Sequence, residues 1–141
     1  MFAEKKITII LIDKDKNVCK SYRSVLERER DMHVVAEARD LESANQTSKM
    51  FRPDIIVLDA NFVDLNGNQQ LYRWIPGMPD VKVLITSFHS DSRFVLRMLH
   101  GGASGYMLKD RAGDELVSAV RTVMANRTYI SPGIAGISKD D

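Results

Sequence analysis

Asp13, Asp59 and Lys109 each follow directly on a short apolar run, and Thr86 and Ser87 close another. Apolar runs of that length suit strands buried on both faces of a parallel sheet. In such sheets ligands bind beyond the carboxyl ends of the strands, so these polar residues are expected to converge in one crevice. Gathered carboxylates repel one another and persist only beside a cation or a proton. A hard divalent ion such as Mg2+, with oxygen ligands and retained waters, meets that need. A carboxylate beside such an ion can attack a phosphoryl donor and become an aspartyl phosphate. An ammonium and a hydroxyl can then hold the new phosphoryl oxygens, since phosphoryl transfer depends mainly on positioning and charge compensation. Asp59 is the candidate nucleophile, Lys109 and Ser87 supply the phosphate contacts, and Thr86 is the neighbouring alternative. Taken singly, each would pass for a turn, cap or surface residue. Their joint placement at strand ends carries the reading.

The elements that must position them alternate along the chain. Ile7 to Ile12 is a β-branched strand pattern, and Lys16 to Arg30 carries Val18, Cys19, Tyr22, Val25 and Leu26 at helical spacing. His33 to Glu37 reads as a second strand, and Leu41 to Phe51 as a helix that Pro53 ends. Asp54 to Leu58 repeats the first pattern, running into Asp59; Ala60 to Asn68 is a loop and Gln69 to Ile75 a short helix closed by Pro76-Gly77. Val81 to Thr86 and Ser104 to Leu108 are further strands, separated by a helix from Asp91 to Leu99 that Gly101-Gly102 stops. Ala112 to Ala125 is the last amphipathic helix. The pattern predicts an α/β doubly wound sheet of five parallel strands, because parallel strands need right-handed crossovers and the helices fill them. The expected domain spans 1–130, with 131–141 a tail or the start of a linker.

A chain of 141 residues fits one domain with a single buried core. Its net charge of +1 does not advertise nucleic-acid binding. Cys19 is the only cysteine, which excludes an intrachain disulfide and a cysteine zinc cluster and fits a reducing cytoplasm. His33, His89 and His100 lack ligand spacing. The opening residues imitate a signal peptide only faintly, since Asp13 ends the apolar run too early. No stretch reaches the roughly 18 apolar residues of a membrane span, so no membrane partner is expected.

Ile-Val-Leu-Asp59-Ala-Asn61, the strand ending in Thr86-Ser87, and Gly-Ala-Ser-Gly-Tyr106-Met-Leu-Lys109 together resemble the receiver domains of bacterial response regulators, nearest to the subfamily usually linked to a LuxR-type helix-turn-helix. The resemblance covers about Ile7 to Ile130 and implies flavodoxin-like topology with strand order 2-1-3-4-5. It implies a cytoplasmic phosphorylation-responsive switch rather than an enzyme, with Asp59 taking its phosphoryl group from a histidine kinase. Ser87 and Lys109 would contact the phosphate, Asp13, Asp59 and the Asn61 carbonyl would bind Mg2+, and Tyr106 would repack when Ser87 moves. A homodimer is the expected assembly, and DNA is expected only through an effector domain these residues do not include.

Three positions depart from the pattern. Lys14 stands where the family places a second metal-binding acid. Either Asp15 bends in to replace that ligand, or the Lys14 ammonium takes the metal's place and partly neutralises Asp59. Phe62-Val63 replaces the usual Met-Pro, and Asp110 follows Lys109 where a cis proline is common, so that peptide is trans or needs compensation. Two other readings stay open. One is a receiver-fold interaction module independent of phosphorylation, for which Lys14 speaks. The other is a haloacid-dehalogenase-type phosphatase with Asp13 as nucleophile and Asp15 as acid/base, against which Asn17 and the unexplained Asp59 weigh.

Overall fold

The computed structural model describes residues 5–63 and 80–134. Strands β1 (Ile7–Ile12), β2 (Met32–Ala38), β3 (Ile55–Asp59), β4 (Lys82–Ser87), β5 (Gly105–Leu108) and β6 (Tyr129–Ile130) alternate with helices α1 (Lys16–Leu26), α2 (Leu41–Phe51), α3 (Ser92–His100) and α4 (Ala112–Met124). One-turn 3-10 segments follow β3 at Ala60–Phe62 and β5 at Lys109–Arg111. The predicted helix from Gln69 to Ile75 and the end of the loop before it lie outside the described residues.

The sheet is parallel throughout, in the order β2-β1-β3-β4-β5-β6. Five strands follow the predicted order, and the two-residue β6 adds a sixth beyond β5. Alternation along the strands divides the core into two layers. Ile9 and Leu11 pack with Leu26 of α1 and Leu116 and Val120 of α4. Ile10 and Ile12 pack with Ala44 of α2 and Val95 and Met98 of α3. Every residue from Ile9 to Ile12 is buried on one layer or the other, and each contributes roughly 1.5–3 kcal/mol by leaving water. This two-sided burial is why the strands read as continuous apolar runs.

Three of the four α-helix starts among the described residues are set by acids. The carboxylates of Asp15, Asp40 and Asp91 accept hydrogen bonds from backbone N–H groups in the first turns of α1, α2 and α3, satisfying donors that the helix leaves unpaired. Helix α1 ends at Leu26, short of the predicted Arg30, with the Glu27 N–H bonded to the Arg23 carbonyl. The carboxylate of Glu27 accepts the Val34 N–H at 3.3 Å.

Ordered packing runs past Ile130. The Ser131 N–H donates to the Tyr106 carbonyl, and Ser131 and Ile134 are buried. The Ser131 hydroxyl accepts from the Leu108 N–H at 2.9 Å and donates to Glu115 Oε1 at 2.6 Å, which also accepts the Tyr129 hydroxyl at 2.7 Å. Ser131 thus lies against strand β5.

Candidate functional site

Asp13 and Lys109 stand one residue beyond β1 and β5, and Asp59 is the last residue of β3. Each comes two positions after a residue of the α1/α4 layer, namely Leu11, Val57 and Met107. Strand parity therefore aims all three side chains into one crevice at the carboxyl edge of the sheet. Lys109 Nζ lies 2.8 Å from Asp13 Oδ2 and 3.3 Å from Asp59 Oδ1. All three side chains are less than a tenth exposed. Two carboxylates this buried require a cation, and the lysine supplies it. Burial alone would lower the Lys109 pKa, but its hydrogen bond to Asp13 and the charge of Asp59 overcome that and hold it above the ordinary lysine value.

Backbone donors fix the acids. Asp13 Oδ1 accepts the Asp15 N–H at 2.9 Å, and Asp59 Oδ1 accepts the Asn61 N–H at 3.2 Å. Asp59 Oδ2 accepts no hydrogen bond among the described residues, which leaves one oxygen of that carboxylate to act as a nucleophile.

Neither expectation for the Lys14 position matches the geometry. The Lys14 side chain is exposed and makes no ion pair among the described residues, so Lys109 is the cation that spans the two acids. Asp15 does not bend in either: it is exposed, and its carboxylate caps α1 through the Asn17 N–H at 2.8 Å. Its own N–H ties it to Asp13, and the capping bond turns its carboxylate along the helix. Among the described residues no three acids, cysteines or histidines gather as a metal cluster. Asp13 and Asp59 remain as a two-carboxylate donor set, which with a backbone carbonyl and waters suits magnesium.

The two hydroxyls that end β4 point to opposite layers. Ser87 shares the parity of Ile85, on the layer of Tyr106, and its Oγ accepts the His89 N–H at 3.0 Å. Thr86 shares the parity of Leu84, on the α1/α4 layer, and pairs in register with Asp59. Tyr106 is fully buried; its hydroxyl donates to the His89 carbonyl at 2.7 Å, and its ring meets Phe94 edge-on at 6.0 Å between centroids. Burial pushes its phenol up to about 12, against a smaller opposing pull from the Ser87 hydroxyl. Ser87 and Tyr106 are therefore linked through the His89 backbone. The Lys109–Asp110 peptide is trans.

Sequence reasoning missed Phe88. Its ring is largely exposed yet stands 5.5 Å from Lys109 Nζ, as a cation–π partner. The clue available was an aromatic placed directly after a strand-end hydroxyl, where a polar turn residue is more usual.

Comparison with known proteins agrees with this geometry. Residues 9–121 match the response regulator receiver domain family. The transcriptional regulatory protein DegU of Brevibacillus brevis is 37% identical over 131 residues, 93% of this chain and 56% of that protein. The oxygen regulatory protein NreC of Staphylococcus carnosus is 32% identical, over 88% of this chain and 58% of its own length. The chain thus spans somewhat over half the length of these curated relatives. Among solved structures, a two-component response regulator of the LuxR family from Aurantimonas sp. SI85-9A1 superposes with a TM-score of 0.83 at 33% identity, covering 93% of this chain and 94% of that one. The signal receiver domain of the putative response regulator NarL from Mycobacterium tuberculosis gives 0.77 at 28% identity, over 88% and 100%. A parallel sheet with this strand order, an acid–lysine crevice at its carboxyl edge and a family match over most of the chain lead to one assignment: the chain belongs to the response regulator receiver domain family.

Proposed function

We propose that this receiver is a phosphorylation-driven switch of two-component signalling, with Asp59 accepting a phosphoryl group from the phosphohistidine of a histidine kinase. The observation that carries the reading is the Lys109 ammonium shared between Asp13 and Asp59. Asp59 Oδ2 attacks phosphorus, the bond from phosphorus to the histidine nitrogen breaks with its electron pair going to that nitrogen, and the histidine, whose other ring nitrogen carries a proton, leaves as neutral imidazole. Bound magnesium, held by Asp13, Asp59 and the Asn61 carbonyl, would offset charge on the transferring phosphoryl oxygens. Lys109 follows the new charge, and Ser87 gives up the His89 N–H to donate to a phosphoryl oxygen. Because Tyr106 is bonded to the same His89 backbone, its packing changes with Ser87. The surface of α3, β5 and α4 then alters its affinity for a partner, with a second copy of the chain as one such partner. By likeness to the longer relatives, the output is control of transcription through an effector domain, in the cytoplasm. No helix among the described residues is long and apolar enough to cross a membrane.

Incubation with acetyl phosphate and magnesium should add one phosphoryl group, and Asp59→Asn should abolish it. Labelling at Asp13 instead would favour the phosphatase reading, although both oxygens of that carboxylate are engaged. The missing third acid favours a second reading, an interaction module that works without phosphorylation. Lys14→Asp separates the two: it should raise magnesium affinity and the labelling rate if the site is a weakened phosphoacceptor, and an unchanged affinity would sink that account of Lys14.

A further inference from the structure

The turn that carries Lys109 has no cap of its own. Neither the 3-10 segment Lys109–Arg111 nor the start of α4 makes a side-chain capping bond. No proline stiffens it either, since Asp110 follows Lys109 through a trans peptide. The backbone just before the lysine is held from outside instead. The Leu108 N–H donates to the Ser131 hydroxyl at 2.9 Å, beyond the point where the two-residue β6 ends. A serine hydroxyl has one proton to give. Glu115 Oε1, in the first turn of α4, takes it at 2.6 Å, which leaves the oxygen's lone pairs for Leu108. Glu115 is itself held by the Tyr129 hydroxyl at 2.7 Å. Burial, and then the Glu115 carboxylate, keep that phenol above its ordinary value and so keep it a donor. Ser131 is 2% exposed, and hydrogen bonds so placed are weakly screened and strengthen one another.

We infer that Ser131, oriented by Glu115, is a positioning residue for Lys109: it pins the backbone from which the ammonium reaches Asp13 and Asp59. This role rests on Lys109 being the working cation of the phosphoacceptor site proposed above. The Lys109 side chain is 9% exposed, with Nζ at 2.8 Å from Asp13 Oδ2 and 3.3 Å from Asp59 Oδ1. A lysine stem is flexible and its ammonium is a point charge without a directing plane, so its place depends on where the stem is anchored. Leu108 precedes the lysine and α4 follows it, and one hydroxyl ties the two together through Glu115. The anchored end of the stem is thereby fixed against β5 by a side chain that never touches the acids. Supporting bonds of this kind hold a functional group in its working geometry.

A thermodynamic cycle by denaturant unfolding of the full chain tests this. Ser131→Ala removes the hydroxyl, and Lys109→Met removes the ammonium that the hydroxyl is argued to place. A bond that only closes the rim of β5 costs the same on either background. A positioning bond costs more when the lysine is present: Ser131→Ala should lower the folding constant of the otherwise unsubstituted chain about threefold or more beyond its effect on Lys109→Met, the scale of one hydrogen bond. Should Lys109→Met not fold, the reactivity of the amine decides. Trace acetylation of the folded chain with acetic anhydride, read residue by residue by mass spectrometry, should show Lys109 reacting about threefold or more faster relative to Lys82 in Ser131→Ala than in the unsubstituted chain. An additive cycle, or an unchanged ratio, overturns the inference. Neither readout uses a phosphodonor, so a failure of Asp59 to take label counts against the proposed function and not against the role of Ser131.

Discussion

At the scale of single residues, the site is governed by one ammonium serving two carboxylates. Removing it as Lys109→Met leaves two buried anions facing each other, and breaking such a pair from one side costs about 3–5 kcal/mol. Denaturant unfolding at neutral pH should show that loss. The raised Lys109 pKa also fixes the alkaline behaviour. A folded-state pKa above the unfolded one contributes stability that is whole below the unfolded value and is lost as pH climbs through the folded one. Midpoints measured from neutrality into the alkaline range should therefore fall late in the unsubstituted chain, and that late fall should be missing in Lys109→Met. Asp13, Asp59 and Lys109 were legible because each follows an apolar run, and position in a parallel sheet then dictates convergence. What Lys14 and Asp15 do was not legible. It depends on where side chains turn after the strand ends, and Asp15 is claimed by the first turn of α1.

At the scale of elements, glycines beside the site separate packing from chain entropy. A Cβ on Gly105 at the start of β5 would sit 3.0 Å from Leu84 Cδ1 and Val123 Cγ2 and 3.2 Å from Tyr129 Cβ. Gly105→Ala should destabilise by about 1–3 kcal/mol through overpacking. Gly113, in the first turn of α4, has nothing within 4 Å of its Cβ position. Gly113→Ala should stabilise by about 0.5–1 kcal/mol, since alanine loses less backbone freedom in a helix. Opposite shifts in denaturation midpoint check both. The β1, β3, β4 and β5 runs announced themselves because burial on two faces leaves few polar residues inside them. Strand β6 did not, because two residues carry no periodicity and its pairing partner lies more than twenty positions earlier.

At the scale of the whole molecule, β6 does more than lengthen the sheet. It sets Gly105 against Tyr129 and Tyr106 against Ile130, and the Ser131 hydroxyl occupies the Leu108 N–H. Two paired residues and one side chain thus cover the rim of the strand that carries Tyr106 and leads into Lys109. A bare rim is a template for another chain's backbone. A chain cut before Tyr129 is expected to self-associate through β5, as concentration-dependent light scattering and thioflavin fluorescence that the chain ending after Ile134 does not show. Residues 129–131 are, on this view, also the molecule's guard against aggregation.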